Sequence, residues 1–454
     1  MKGAQLNRRD FLKKSSLATA AVASWEVSAQ PVSPLRAEIQ NPYGRTPVSL
    51  IIDDSTCLVN MAHFGIPQFA EVFPNDYKQD WRKLPREIPD SFVRKFGLWS
   101  QENGIRGKYS IVPYPACTGF VNRFIPGWTK AELTDSLNLV REVIMPNWDI
   151  HPEMISHTRV IDIKTGKPFP QATPDYMENW GWSQNKSADE LAAYQSYALE
   201  ILRDAGLHCD GITTPGGYGS LNQDNLARSV KESVQGVFGS EISHYFRDLY
   251  IKKSESVEPK VLYPTDLTTG NPSCVVSIYG CTEDWFGDWD GLHPGHADLM
   301  INASGTAGRL VDVINAGEPA VMVCHWPGLY FNGEEIGFNI FKQVVNRLKE
   351  HYPELIWMKL SEIARYWAAR KLTQMEVTKN SIKLQAPFQA NGFTIRLNHA
   401  YKEVRLSNLA AIGKPLKRVG SKSMLASDTF FESASETLIC VDIQRGLNSI
   451  SIKN

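Results

Sequence analysis

The sequence predicts an α/β fold, a (β/α) barrel followed by a small antiparallel β domain. Three observations carry this expectation. From about residue 45 to 371, apolar runs of strand length alternate with helical runs, the pattern of βα units on a parallel sheet. From 372 to 454 the helical pattern stops and short period-two strands follow one another between turn signals, as in a sandwich. Several strands of the first region end on Asp or His, at the rim where α/β folds place their chemistry.

Taken in order, strands are expected over residues 48–52, 108–112, 150–157, 208–213, 274–278, 320–324 and 356–358. Helices are expected over 91–102, 129–144, 189–205, 225–237, 337–351 and 361–370. Thr129 with Glu132 three positions on is a capping box that starts the second helix. The third helix is amphipathic and stops at Gly206. The C-terminal strands fall over 375–377, 381–384, 393–397, 403–406, 437–443 and 449–452.

Residues 1–29 read as a leader rather than as fold. Asn7-Arg8-Arg9-Asp10-Phe11-Leu12-Lys13-Lys14 is a twin-arginine pattern; a short, weakly apolar run follows, then Val27-Ser28-Ala29, a small-x-small cleavage site. The run is too short to span a bilayer. Export as a folded protein to the periplasm or the exterior is expected, with no membrane span after cleavage. The 48 basic and 49 acidic residues give a net charge of −1, without long one-sign runs, which argues against nucleic acid and anionic membranes as partners. The 7 cysteines are odd in number and lack a C-x-x-C, which argues against a disulfide framework. The 12 tryptophans suit either a large core or stacking on sugar faces.

Five constellations carry chemistry. Asp53 and Asp54 end the apolar run 48–52; because adjacent strand residues face opposite ways, one can meet an ion while the other meets substrate, although the pair could equally cap a turn. His157 lies between Ser156 and Thr158. With Asp54 it would suit Zn²⁺ or a similar divalent ion, or else be a hydrogen-bonded loop histidine. The third runs from Asp210 through Thr213-Thr214-Pro215-Gly216-Gly217-Tyr218, a Gly/Pro-rich loop able to bring backbone N–H groups close to a ligand. The fourth, Glu283-Asp284-Trp285-Phe286-Gly287-Asp288-Trp289-Asp290, interleaves carboxylates with aromatics, as a sugar-contacting or simply solvated loop would. The fifth is the apolar run 320–324 delivering His325 and Trp326; His325 would be a general acid.

These strand ends, in this order, resemble the polysaccharide deacetylase superfamily over roughly residues 45 to 371. Asp53-Asp54 resembles the first motif, with its catalytic base and metal ligand. His151 to Thr158 resembles the second, His-Ser/Thr-x-x-His; Thr214 to Gly219 the third; Asp284-Trp285 the fourth; and Val321 to Trp326 the Leu-x-His that supplies the acid. The resemblance implies a deformed (β/α) barrel of polysaccharide deacetylase type. It also implies catalytic Asp53 and His325, Asp54 and His157 as ligands of a divalent metal such as Zn²⁺, and a polysaccharide or oligosaccharide substrate. Two departures are visible. Ile161 stands where a second metal-binding His is expected, with His63, His151 or Asp162 as candidate substitutes, and Thr213 or Thr214 replaces an Arg. The expected function is metal-dependent deacetylation or related ester hydrolysis. Thr214, Gly216, Tyr218, Asp284, Trp285 and Trp326 are expected to bind substrate, and N–H groups of the Thr214–Gly217 loop to steady an oxyanion. The alternatives are a glycoside hydrolase, pairing Asp53 or Asp54 with Asp210 or a carboxylate of the fourth constellation, and a non-catalytic sugar-binding protein.

Overall fold

Parallel strands carry the first unit. The computed structural model describes residues 35–268 and 270–454, so the leader expected over 1–29 lies outside the described residues. Strand β1 (Pro47–Asp53), β2 (Gly107–Ser110) and β3 (Trp148–His151) run parallel, and β8 (Ala320–His325) flanks β1 on its other side. In a second sheet, β4 (Gly211–Thr213), β5 (Ile242–Leu249) and β7 (Ser273–Gly280) run parallel, and β6 (Lys260–Thr265) pairs antiparallel with β7. The two sheets touch along two seams. Thr213 N–H donates to the Pro152 carbonyl at 3.1 Å, and Cys281 N–H to the Val321 carbonyl at 2.7 Å.

The register sets the level of each side chain. Asp53 lies beside His325, and Ser110 beside His151. Alternation then sorts the faces. Leu50 and Ile52 pack with Phe92 and Phe96 of helix Asp90–Glu102, whereas Ile51 packs with Val276, Ile278, Val321 and Val323 from both sheets. Strands buried on both faces read as continuous apolar runs, which is why 48–52 and 320–324 stand out in the sequence. The capping box at Thr129 and Glu132 is formed and contributes on the order of 1 kcal/mol. The helix it starts is α-helical over Lys130–Leu139 and continues through Val140–Ile144 as a π turn.

The C-terminal region is a separate pair of five-stranded sheets. Their facing apolar residues, such as Ile382, Phe393, Ile439 and Ile450, share one core with Tyr366 and Trp367 of helix Leu360–Leu372. This unit is not made from 372–454 alone: Ala37–Ile39 pairs antiparallel with Ala390–Leu397. One of its strand pairs, Lys417–Val419 with Thr429–Glu432, is parallel. The strand expected over 150–157 stops at His151, because Pro152 follows and the chain turns through left-handed conformations at Met154 (φ 52°) and His157 (φ 65°). All seven cysteines are free thiols, and no helix among the described residues is long and apolar enough to cross a membrane.

Candidate functional site

Four chain segments bring titratable groups together at the C-terminal ends of β1, β2, β3 and β8. Asp53 ends β1 and pairs with Lys108. Lys108 is wholly buried, and also donates to the Ile52 carbonyl at 3.1 Å and to Ser110 Oγ at 2.6 Å. Alternation on β2 puts Lys108 and Ser110 on one face. Glu153, just past β3, accepts from Ser110 Oγ at 2.9 Å through Oε1 and from the Asp54 N–H at 2.9 Å through Oε2. Asp54 Oδ1 lies 2.8 Å from His157 Nε2, and Glu153 Oε2 lies 3.7 Å from the same nitrogen. On the other side, His325 Nδ1 donates to Asp284 Oδ1 at 2.7 Å.

The loop that presents His157 is held by Glu178. Its buried carboxylate accepts from the Ile155 N–H at 3.2 Å, the Ser156 N–H at 3.1 Å, the His157 N–H at 2.5 Å and the Tyr194 hydroxyl at 2.5 Å. Asp54 (φ 58°), Met154 and His157 all adopt left-handed backbone. Such conformations cost about 1–3 kcal/mol each in a non-glycine residue and persist only where the surroundings enforce them.

Burial and charge decide the protonation states. Burial pushes the Asp54 carboxyl up, but the His157 charge outweighs it and holds Asp54 at about 2. Burial lowers His157, and Asp54 with Glu153 more than reverses this, to about 9. Burial and the neighbouring Asp53 charge push Glu153 up to about 8. Burial likewise lifts Glu178 to about 7 against the hydrogen bonds it accepts. Burial works against the His325 cation, yet Asp284, Asp54 and Asp53 raise it well above the usual imidazole range.

A stability consequence follows for the metal-free protein. Glu153, Glu178, His157 and His325 each bind a proton more tightly folded than unfolded, so each loses stabilisation as pH rises above its unfolded value. The opposite contributions, from buried His244 held at about 4 and buried His151 held well below the usual imidazole range, fade within about a unit above pH 6.5 and are outnumbered by the four losses. Urea midpoints measured with chelator present are therefore expected to fall steadily from pH 6.5 to 9. A flat or rising profile over that window would contradict these protonation states.

The sequence-based candidates divide. Asp53, Asp54, His157 and His325 converge. Asp284 and Trp285 join His325 in lining a cleft of about 360 Å³ together with Glu283, Asp288 and Val323. Asp210 does not join them: it precedes β4, at the opposite end of the strands, and pairs with His208 at 3.2 Å. Trp326 is sealed in the core against Phe92, Phe96 and Tyr109, on the helix side of the sheet. Tyr218 is equally buried. The loop after β4 spends its donors internally. Thr214 N–H goes to the Phe246 carbonyl, Gly217 N–H to the Asn179 carbonyl and Tyr218 N–H to the Pro215 carbonyl. Gly216 is tied through its carbonyl to Arg247 at 2.8 Å. Neither Thr214, Gly216 nor Tyr218 lines the cleft beside His325, and the expected oxyanion role of this loop has no free donor at those three N–H groups.

The three candidate substitutes for the second metal histidine are engaged elsewhere. His63 Nδ1 meets the Leu84 carbonyl at 2.8 Å, Asp162 caps a turn by accepting from the Lys164 N–H at 3.0 Å, and His151 Nε2 faces His244 Nε2 at 2.9 Å. That imidazole pair requires Gly211, whose added Cβ would lie 2.6 Å from both ring nitrogens. Sequence reasoning misses Lys108, Glu153 and Glu178: Lys108 opens the strand expected over 108–112, where an exposed strand-end lysine reads the same, and Glu178 sits in irregular chain. Asp54, Glu153 and His157 can each place a ligand atom within 4.8 Å of the others, so the donor set fits a divalent cation.

No family model matches this chain, and no curated protein does. Among solved structures it is similar to a probable polysaccharide deacetylase from Pseudomonas aeruginosa PAO1, at 9% identity and a TM-score of 0.35 over 71% of this chain and 90% of that one. It is also similar to a mutant of a CE4 family pseudoenzyme, at 10% identity and a TM-score of 0.31 over 72% and 70%. A Thermotoga maritima alpha-fucosidase matches at 11% identity and a TM-score of 0.29 over 91% and 97%. Likenesses this distant carry no argument about activity, which rests on the residues.

Proposed function

We propose that this chain is an exported carbohydrate-active hydrolase, acting in the periplasm or outside the cell, that removes acyl groups from a polysaccharide or oligosaccharide with the help of a divalent metal such as Zn²⁺. The supporting observation is the convergence of Asp53, Asp54, His157 and His325 at one set of strand ends. The two seams between the sheets support a deformed (β/α) barrel of polysaccharide deacetylase type, and the twin-arginine pattern supports export. A bound divalent ion would supply Lewis acidity and a more acidic water. Asp54 and His157 would hold it.

The chain's own groups then have separable tasks. Asp53 takes the proton of the attacking water through the oxygen not held by Lys108. Lys108 fixes that carboxylate and balances its charge. His325, protonated and oriented by Asp284 at Nδ1, gives the Nε2 proton to the departing sugar oxygen or nitrogen. The ester or amide C–O or C–N bond breaks as water oxygen bonds to the acyl carbon. Products are the sugar hydroxyl or amine and a carboxylic acid. Trp285, beside this cleft, offers a face for a sugar ring.

A glycosidase reading loses Asp210, which lies at the wrong end of the strands, and finds Asp284 held by His325, which leaves Glu283 and Asp288 of the cleft as its carboxyl partners. Incubation with acetylated and deacetylated polysaccharides separates the options. Acetate release from the acetylated polymer without new reducing ends is expected. New reducing ends without acetate would establish the glycosidase, and binding with neither product a sugar-binding protein.

A further inference from the structure

We propose that Glu153 completes a divalent-cation site with Asp54 and His157, giving one imidazole and two carboxylates rather than two imidazoles. This inference rests on the metal-dependent reading above and names its ligand set. The three side chains are more than nine-tenths buried, and their ligand atoms cluster within 4.8 Å. Asp54 Oδ1 is a buried acceptor with no hydrogen-bond partner. It lies 2.8 Å from His157 Nε2, so two potential ligand atoms already face one another.

Charge points the same way. Lys108 pairs with Asp53 and lies 3.7 Å from Glu153 Oε1, and two carboxylates with one imidazole would match the charge of a divalent ion that displaces the protons they hold without it. The histidines nearest the expected second-ligand role are engaged: position 161 is isoleucine, and His63 and His151 are held by the Leu84 carbonyl and by His244. Glu178 fixes the loop between Glu153 and His157 through three successive N–H groups, so the two ligands are rigidly spaced. A set richer in oxygen suits harder ions, so Mn²⁺ or Mg²⁺ gains on Zn²⁺ relative to a two-histidine site.

The test uses the mature protein, stripped with chelator and titrated with Mn²⁺ and Zn²⁺. One ion per chain is expected, and pulsed electron-paramagnetic resonance of the Mn²⁺ form should show a single coupled imidazole nitrogen. Glu153→Gln should weaken Mn²⁺ binding by roughly tenfold or more, and Glu153→His should shift the Zn²⁺/Mn²⁺ affinity ratio towards zinc by a similar factor. Two coupled imidazoles, or Glu153→Gln binding as tightly as wild type, would overturn the ligand set while leaving metal dependence standing. Wild-type protein that binds neither ion, yet hydrolyses substrate in chelator, would overturn metal dependence itself. Should Glu153→Gln not fold, the wild-type spectrum alone decides.

Discussion

Replacing Lys108 by methionine is expected to lower the unfolding free energy by about 3–5 kcal/mol. Lys108 has no solvent exposure, and its ammonium group meets Asp53, the Ile52 carbonyl and Ser110 Oγ, with Glu153 Oε1 at 3.7 Å. Methionine fills the stem but removes the only cation facing two buried carboxyls from β2. Asp53 is then left charged in a poorly solvated place, and the cost is that of an uncompensated buried charge. The double variant Asp53→Asn/Lys108→Met should recover much of the loss, with a coupling of about 1–3 kcal/mol between the sites. Urea unfolding of the four proteins measures this directly. Single costs below about 1 kcal/mol that simply add would show that the pair does not hold the site together.

His325→Gln is expected to reduce kcat by a factor on the order of 10²–10⁴, the usual contribution of a positioned acid or base, with little change in KM. Glutamine keeps a side-chain hydrogen bond to Asp284 available but cannot deliver a proton to a leaving group. Asp284→Asn should do less harm to kcat and should move the alkaline limb of the kcat profile to lower pH. Asp284 is the strongest of the charges that keep His325 protonated, and without it the imidazolium gives up its proton earlier. An unshifted alkaline limb would separate His325 from the acid role even if both variants were slow. The readout is the rate of acyl release against pH for the three proteins.

The parts of this molecule that follow one periodicity were legible in the sequence, and the parts that depend on where loops return were not. Runs 48–52 and 320–324 announce buried parallel strands because both their faces are covered, and their terminal Asp53 and His325 do meet side by side. The β-rich C-terminal region was readable from its alternation, but the strand Ala37–Ile39 that it borrows from before β1 leaves too short a pattern to assign. The sequence pattern places His157 at a strand end, yet Pro152 and two left-handed residues carry it off the sheet, and a carboxylate from Glu178 fixes it there. Residue type suggests Trp326 and Tyr218 as sugar-binding aromatics, but it does not say whether a ring turns into the core, as both do. Trp326 follows His325 by one position, so it lies on the helix side and is buried. Asp210 falls inside the strand expected over 208–213, but the strand starts only at Gly211, so its carboxylate sits at the N-terminal end.

The central claim, that four side chains from β1, β8 and the loop after β3 form one metal-assisted hydrolytic pocket, is tested most directly by acetate release from an acetylated polysaccharide before chelation, after it, and after a divalent ion is restored. The account predicts release that stops in chelator, returns with the ion, and is absent in Asp54→Asn at every ion concentration. Release that continues unchanged in chelator, or an Asp54→Asn protein as active as the wild type, would contradict it.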